Sequence, residues 1–293
     1  MNPSNPSARA HPAATNPSPA LFTGLWIPLI TPFLQDDSAA VDHAALARLV
    51  QHYKDAGASG FVACGTTGEA AALSKQEQLA VLQTVLDSAA GLPVVMGVGG
   101  YHLGEAIAAA QAACGLGAQG LLVAAPHYMR PSQAGICEWF EHIADACTRP
   151  LIIYDVPYRT GVEMTLETLR RLALHPNIHA IKDCGGSAAK TQHLIADGQL
   201  QVLAGEDHQI FGTVAAGGSG AISASAHLQT AQFVQVIRLL QEGRNLEAQT
   251  LWRPLVPLIS EMFSEPNPAV IKKYLARDGW IQNCLRAPLQ AAA

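Results

Sequence analysis

From Leu25 onward one pattern repeats eight times: a short apolar run, a glycine-rich or polar loop, then an amphipathic helical stretch. The apolar runs are LWIPLIT from 25, GFVAC from 60, PVVMGV from 93, QGLLVAA from 119, PLIIYDV from 150, IHAIKD from 178, LQVLAG from 200 and SGAISA from 219. Each run is continuous rather than alternating, as a strand buried on both faces of a parallel sheet must be. The stretches between them, such as VDHAALARLVQHYKDAG from 41 and SKQEQLAVLQTVLDSAAG from 74, show helical spacing and end at glycine, a common C-terminal cap. Ser74 with Glu77 three residues later is a capping-box signature. The strand starts are spaced by about 20 to 35 residues, the length of one βα unit. Eight such units in series predict an α/β fold of the closed (β/α)8 TIM-barrel type more readily than an open doubly wound sheet. No G-x-G-x-x-G follows the first run to favour the open sheet.

The flanks differ from the repeats. Residues 1–20 are rich in Pro, Ser, Asn and Ala and cannot bury enough surface to offset chain entropy, so a disordered tail is expected there. The barrel is expected over 21–244 and a C-terminal helical region over 245–293, its pattern broken at EPNP from 265. Such an appendage packs beside a barrel or builds subunit contacts, and the sequence leaves both open. A net charge of −5 at pH 7 with no long basic run gives no reason to expect nucleic acid or a membrane surface as partner. No run of about 18 apolar residues predicts a membrane span, and no basic segment followed by an apolar one marks a secretory signal. The six cysteines (64, 114, 137, 147, 184 and 284) include no C-x-x-C pair and read as free thiols of a reducing, cytoplasmic compartment.

Barrel enzymes carry their chemistry at the C-terminal ends of the strands. Those positions hold Thr31, Gly65, Thr66, Thr67, Glu69, Tyr128, Arg130, Tyr154, Asp155, Arg159, Lys182, Asp183, Glu206, Asp207 and Ser223. Of six lysines, Lys54, Lys75, Lys190, Lys272 and Lys273 fall in amphipathic stretches, where a solvated head is expected. Lys182 alone lies in an apolar strand. Burying an ammonium there costs several kcal/mol unless it is paired or neutralised. One reading is a structural ion pair with Asp183 or another acid. The other is a lysine whose pKa is pushed down by desolvation, leaving a neutral amine to attack a ketone. Tyr154 ends the preceding strand and points into the same mouth, where a phenol can shuttle the protons that imine chemistry requires; alone it would read as packing. GTTGE at 65–69 offers hydroxyls and backbone N–H groups to a small carboxylate, or is an ordinary turn. Arg159 in YDVPYRTG can clamp a carboxylate in bidentate fashion, or is a surface arginine. The histidines show no metal-ligand spacing at a strand end, so no metal is expected. No nucleotide motif calls for a cofactor, and the acidic GED after strand seven would repel a phosphate.

With these motifs the chain resembles the dihydrodipicolinate synthase and N-acetylneuraminate lyase family. The resemblance covers nearly the whole chain from Phe22 and rests on TGLWIPLITPF from 23, GTTGE, PHYMRPSQAG from 126, YDVPYRTG from 154, IKD at 181–183, GAIS from 220 and EPNP. It implies Lys182 as the Schiff-base lysine, Tyr154 as proton donor and acceptor, and a relay of Thr66, Tyr128 and Tyr154, with Tyr128 reaching a neighbouring subunit's site. It implies Thr67, Ile222 and Gly205 around pyruvate and Arg159 on the second substrate's carboxylate. GTTGE and the arginine of YDVPYRTG resemble the synthase branch; the sialic-acid lyase branch usually reads GSTGE and lacks that arginine. The implied reaction joins pyruvate to aspartate 4-semialdehyde, in a homotetramer, on the route to diaminopimelate and lysine.

The chain departs from the family pattern at Asp155, Cys184 and Glu206, each placed to reshape the second-substrate pocket. His127, Lys75, Gln78 and Tyr101 replace residues of lysine-inhibited members, although Glu105 matches, so lysine feedback is expected to be weak or absent. Two rivals stay open: a lyase of the same family acting on N-acetylneuraminate or a 2-keto-3-deoxy sugar acid, and a non-catalytic barrel that binds a keto acid. The second has no use for a proton relay.

Overall fold

The computed structural model describes residues 21–292; the tail expected over 1–20 lies outside the described residues. Eight strands, β1 (Gly24–Pro28), β2 (Gly60–Ala63), β3 (Val94–Val98), β4 (Gly120–Ala124), β5 (Leu151–Asp155), β6 (Ile178–Asp183), β7 (Gln201–Ala204) and β8 (Gly220–Ile222), fall within the eight apolar runs or begin one residue ahead of them. Each pairs in parallel with the next, and β8 pairs with β1, so the sheet closes in sequence order. Closure needs Gly220: a β-carbon there would strike the backbone of Gly24 on β1.

The strands alternate with α1 (His43–Asp55), α2 (Lys75–Ser88), α3 (Leu103–Leu116), α4 (Gln133–Asp145), a one-turn α5 (Pro157–Thr160) with α6 (Leu166–Leu172), α7 (Ala188–Asp197), α8 (Ile210–Ala215) and α9 (Thr230–Gln241). Three more helices follow: α10 (Asn245–Trp252), α11 (Leu255–Met262) and α12 (Ala269–Arg277). The capping box of α2 forms as its sequence predicts, with Ser74 and Glu77 satisfying each other's backbone N–H groups. No described helix is long and apolar enough to cross a membrane.

Two apolar layers result. Alternate strand residues point inward, including Val62, Val95, Leu122, Ile152, Ala180, Leu203 and Ile222, above Phe22 and Trp26. The other strand residues pack against the helices in a larger outer layer. Because inward positions recur every second residue, Ile152 and Ala180 in the inner layer put Tyr154 and Lys182 there too, one step nearer the C-terminal mouth.

The helices hold two corrections. Lys190 and Lys272, expected to be solvated, are buried: Lys190 pairs with Asp155 at 2.9 Å, and Lys272, 0% exposed, pairs with Glu69. Helical spacing gives the face a residue occupies but not a distant acid that can draw its head inward. Cys114 and Cys147, expected to be free, are joined by a disulfide. One ends α3 and the other follows α4, which puts neighbouring helices, and not neighbouring sequence, in register; the other four cysteines are free.

Candidate active site

A cavity of about 550 Å³ opens at the C-terminal mouth of the barrel, lined among others by Thr66, Thr67, Tyr154, Arg159, Lys182 and Gly205. Six of the eight residues named from sequence therefore share one wall. Tyr128 does not: it is 86% exposed and outside this cavity. Ile222 ends β8 in the inner apolar layer, fully buried and beneath the lining, whereas Ala224 reaches the cavity. A second hollow of about 640 Å³ adjoins the first and shares Thr66, Tyr154, Arg159 and Asn267.

Lys182 and Tyr154 are register partners across the β5–β6 ladder, so their side chains stand side by side. The Lys182 Nζ lies 4.5 Å from the centre of the Tyr154 ring. Among the described residues the lysine makes no ion pair. Asp183, the obvious partner, is turned the other way, accepting from the Thr191 hydroxyl at 2.5 Å and from the Gly185 N–H at 2.9 Å. A structural ion pair therefore does not account for this lysine. Gly205 leaves the room it needs, because a β-carbon there would sit 2.9 Å from Lys182 Cγ.

Burial pushes the Tyr154 phenol well above its usual range, with the Cys184 thiol adding to the rise. The hydrogen bond with Thr66 and the charge of Arg159 oppose it. The phenol thus stays protonated at neutral pH and can give a proton to an oxygen forming beside Lys182. Burial also pushes up the Cys184 thiol, against the pull of Lys182, so no thiolate competes as nucleophile.

The GTTGE segment is a tight turn, with Gly68 N–H donating to Gly65 O and Glu69 N–H to Thr66 O, both at 3.1 Å. Thr31, three residues past the end of β1, anchors it by donating to Gly68 O at 2.7 Å. Both threonines face the cavity, and Thr67 is nearly fully buried.

At the outer end Arg159, on α5, faces the same space as Glu206. Tyr158 Oη donates to Glu206 Oε1 at 2.8 Å and holds that carboxylate at the rim. Behind it the buried Asp207 accepts from the Ser225 N–H at 2.7 Å, tying the ends of β7 and β8 together. Sequence reasoning singled out neither Tyr158 nor Asn267. Asn267, in the EPNP turn before α12, donates from Nδ2 to Thr67 Oγ1 at 2.9 Å. Its only sequence signal was an asparagine between two prolines in a turn, with nothing to show where the turn lands.

The profile described as "Dihydrodipicolinate synthetase family" matches residues 21–293. A protein of Prosthecochloris aestuarii named 4-hydroxy-tetrahydrodipicolinate synthase is 39% identical over 274 residues, 92% of either chain. One of Clostridium acetobutylicum named 4-hydroxy-tetrahydrodipicolinate synthase 2 is 36% identical over 91% of this chain and 93% of that one. Among solved structures, the chloride-inhibited dihydrodipicolinate synthase of Acinetobacter baumannii, complexed with pyruvate, superposes with a TM-score of 0.90 at 34% identity, covering 92% of this chain and 94% of that one. The enzyme from Aquifex aeolicus superposes with a TM-score of 0.89 at 32% identity, covering 93% of each chain. A barrel closed over a lysine and a tyrosine, matched along nearly its whole length, belongs to the dihydrodipicolinate synthetase family.

Proposed function

We propose that this enzyme condenses pyruvate with aspartate 4-semialdehyde to give 4-hydroxy-tetrahydrodipicolinate, through a Schiff base on Lys182. The observation that carries the proposal is a buried lysine with no carboxylate partner among the described residues, beside a protonated tyrosine, at the mouth of a closed barrel. The amine adds to the ketone carbon of pyruvate, and the carbinolamine loses its oxygen as water to leave an imine. The imine draws electrons from the adjacent methyl group, which releases a proton and becomes an enamine. The enamine carbon attacks the aldehyde carbon of the second substrate, whose oxygen takes up a proton and becomes the 4-hydroxyl. The substrate's own amino group then closes the ring onto the imine carbon, and Lys182 leaves as the free amine. One water is lost overall.

Tyr154 is assigned the proton transfers, with Thr66 hydrogen-bonded to it as the next member of the relay. Thr67 and the space beside Gly205 receive pyruvate, and Ile222 supports that pocket from beneath. Arg159 receives the second substrate's carboxylate. Beyond Lys182, the cavity lining carries the cation Arg159 and the carboxylates Glu206 and Glu265, besides the buried Asp207, and Arg159 with Glu206 complements the carboxylate and ammonium of an amino acid. That pairing favours an amino-acid aldehyde over the polyhydroxyl chain of a sugar acid.

The homotetramer and the role of Tyr128 belong to the same proposal. Tyr128 stands exposed outside its own cavity beside an exposed Met129, which suits a residue completing a neighbour's site. Cytoplasmic residence is supported by the four free thiols, and the Cys114–Cys147 bridge weighs against it.

Borohydride reduction in the presence of pyruvate tests the core of the proposal. The expected result is a stable adduct mapping to the peptide of Lys182, absent in Lys182→Ala, which should lose turnover by at least about a thousandfold. An adduct on another lysine, or undiminished turnover in Lys182→Ala, would overturn it.

A further inference from the structure

The C-terminal region lines the active-site cavity with residues 263–267, and one of them is hydrogen-bonded to Thr67. Asn267 Nδ2 donates to Thr67 Oγ1 at 2.9 Å, across 200 residues of sequence. A hydroxyl has one hydrogen and two lone pairs. Here an amide N–H takes one lone pair, and among the described residues the Thr67 hydroxyl donates to no protein acceptor. Its hydrogen is therefore left for whatever occupies the cavity. A carboxylate only accepts, so a hydroxyl that faces it with a lone pair is useless and one that faces it with hydrogen is a binding group.

Asn267 makes this arrangement at a cost to itself: its Oδ1 is buried with no partner among the described residues. An orphaned buried carbonyl is destabilising, and turning the amide over would let Thr67 donate to Oδ1 only by moving the two Nδ2 hydrogens to where Oδ1 now stands. The turned amide would also consume the hydroxyl's hydrogen. The two segments are pinned from a second side as well. Lys272 of α12, which begins two residues after Asn267, pairs with Glu69 of the GTTGE turn and lies 4.2 Å from the centre of the Phe33 ring. The Arg286 N–H donates to the other oxygen of Glu69 at 3.2 Å.

We infer that Asn267 is a positioning residue that orients the Thr67 hydroxyl as a donor toward the carboxylate of pyruvate. The inference rests on the proposed function, since it takes pyruvate as the ligand at Thr67.

The test reads how the rate of borohydride trapping depends on pyruvate concentration in the full-length enzyme, with Asn267→Ala, Asn267→Leu, Thr67→Val and the Thr67→Val/Asn267→Leu double variant. Leucine keeps the volume of asparagine and guards against a collapse caused by alanine's cavity. Either Asn267 variant should raise the half-saturating pyruvate concentration by about tenfold, the worth of a hydrogen bond to a charged group. The trapping rate at saturation should stay within about twofold. Thr67→Val should cost at least as much, and adding Asn267→Leu to it should change nothing further beyond about twofold, because Asn267 then has no hydroxyl to orient. Multiplied effects in the double variant, an unshifted pyruvate dependence in the single variants, or loss of the fold in both Asn267 variants would each overturn the assignment. Absence of trapping in the unaltered enzyme would instead sink the proposed function, so the two failures are distinguishable.

Discussion

Strand alternation turns Tyr154 and Lys182 into the barrel and sends the residues that follow them, Asp155 and Asp183, out toward the helices. Asp155 is fully buried there, and Lys190 of α7 meets it at 2.9 Å while also donating to Met164 O at 3.1 Å. The pair therefore fastens the end of β5, immediately behind the tyrosine, to a helix on the far side of β6. Asp155→Asn should lower stability by about 3 kcal/mol, because the Lys190 ammonium would stay buried with the exposed Glu163, at 3.4 Å, as its one remaining ion-pair partner among the described residues. Thermal melting should show a drop of about 6 to 12 °C, largely restored in Asp155→Asn/Lys190→Met, where no charge is left stranded. A second prediction belongs to single side chains too. Glu105, which matches lysine-inhibited relatives, is paired with Lys75 at 3.2 Å, and Gln78 spends its amide on Ala70 O and Leu73 O. The Gln78 amide is thus committed within its own turn, and Glu105 already faces a cation. Free lysine in a steady-state assay should inhibit weakly or not at all, and an inhibition constant in the low millimolar range would contradict this.

Elements are locked together at one histidine. His227, just past β8, accepts the Ile30 N–H at Nε2 (3.2 Å), pairs through Nδ1 with Ala224 O at 2.7 Å, and sets its ring edge-on to Tyr53 of α1. Both nitrogens are used only if the ring is neutral with its proton on Nδ1. Burial accordingly pushes its pKa from 6.5 down to about 4. The unfolded chain takes up a proton below about pH 6.5 and the folded chain does not, so this contribution is complete above that pH and is lost as pH falls toward 4. The loss amounts to about 3 kcal/mol. Denaturant midpoints measured between those pH values should fall for the native enzyme and fall less for His227→Asn; equal slopes would contradict the assignment. The elements themselves were legible because each strand is a short apolar block and each barrel helix opens or closes on a recognisable cap. Lys182 was legible for the same reason, a lone cation in an apolar block. Lys190, Lys272 and Asn267 were not. Their partners lie far along the chain, 35 residues away for Asp155 and 200 for Thr67, and only barrel closure and the fold-back of the C-terminal helices bring them near.

At the scale of the whole molecule the site of one chain is short of one proposed member. Thr66 and Tyr154 are in contact, whereas Tyr128 is exposed and outside the cavity they line, so the proposed relay takes its Tyr128 from a second chain. If two copies meet about a two-fold axis, each lends its Tyr128 to the other. Tyr128→Phe and Tyr154→Phe should then be severely impaired alone yet complement when mixed. In a mixed pair the Tyr128→Phe chain keeps its own Tyr154 and borrows an intact Tyr128, giving one complete site, while the other site lacks both phenols. Random re-pairing of equal amounts makes about half the pairs mixed, so the mixture should regain about a quarter of native activity. A mixture that shows only the average of its two parents, after subunit exchange has been verified by mass, would mean that Tyr128 serves its own chain or does not serve the reaction at all.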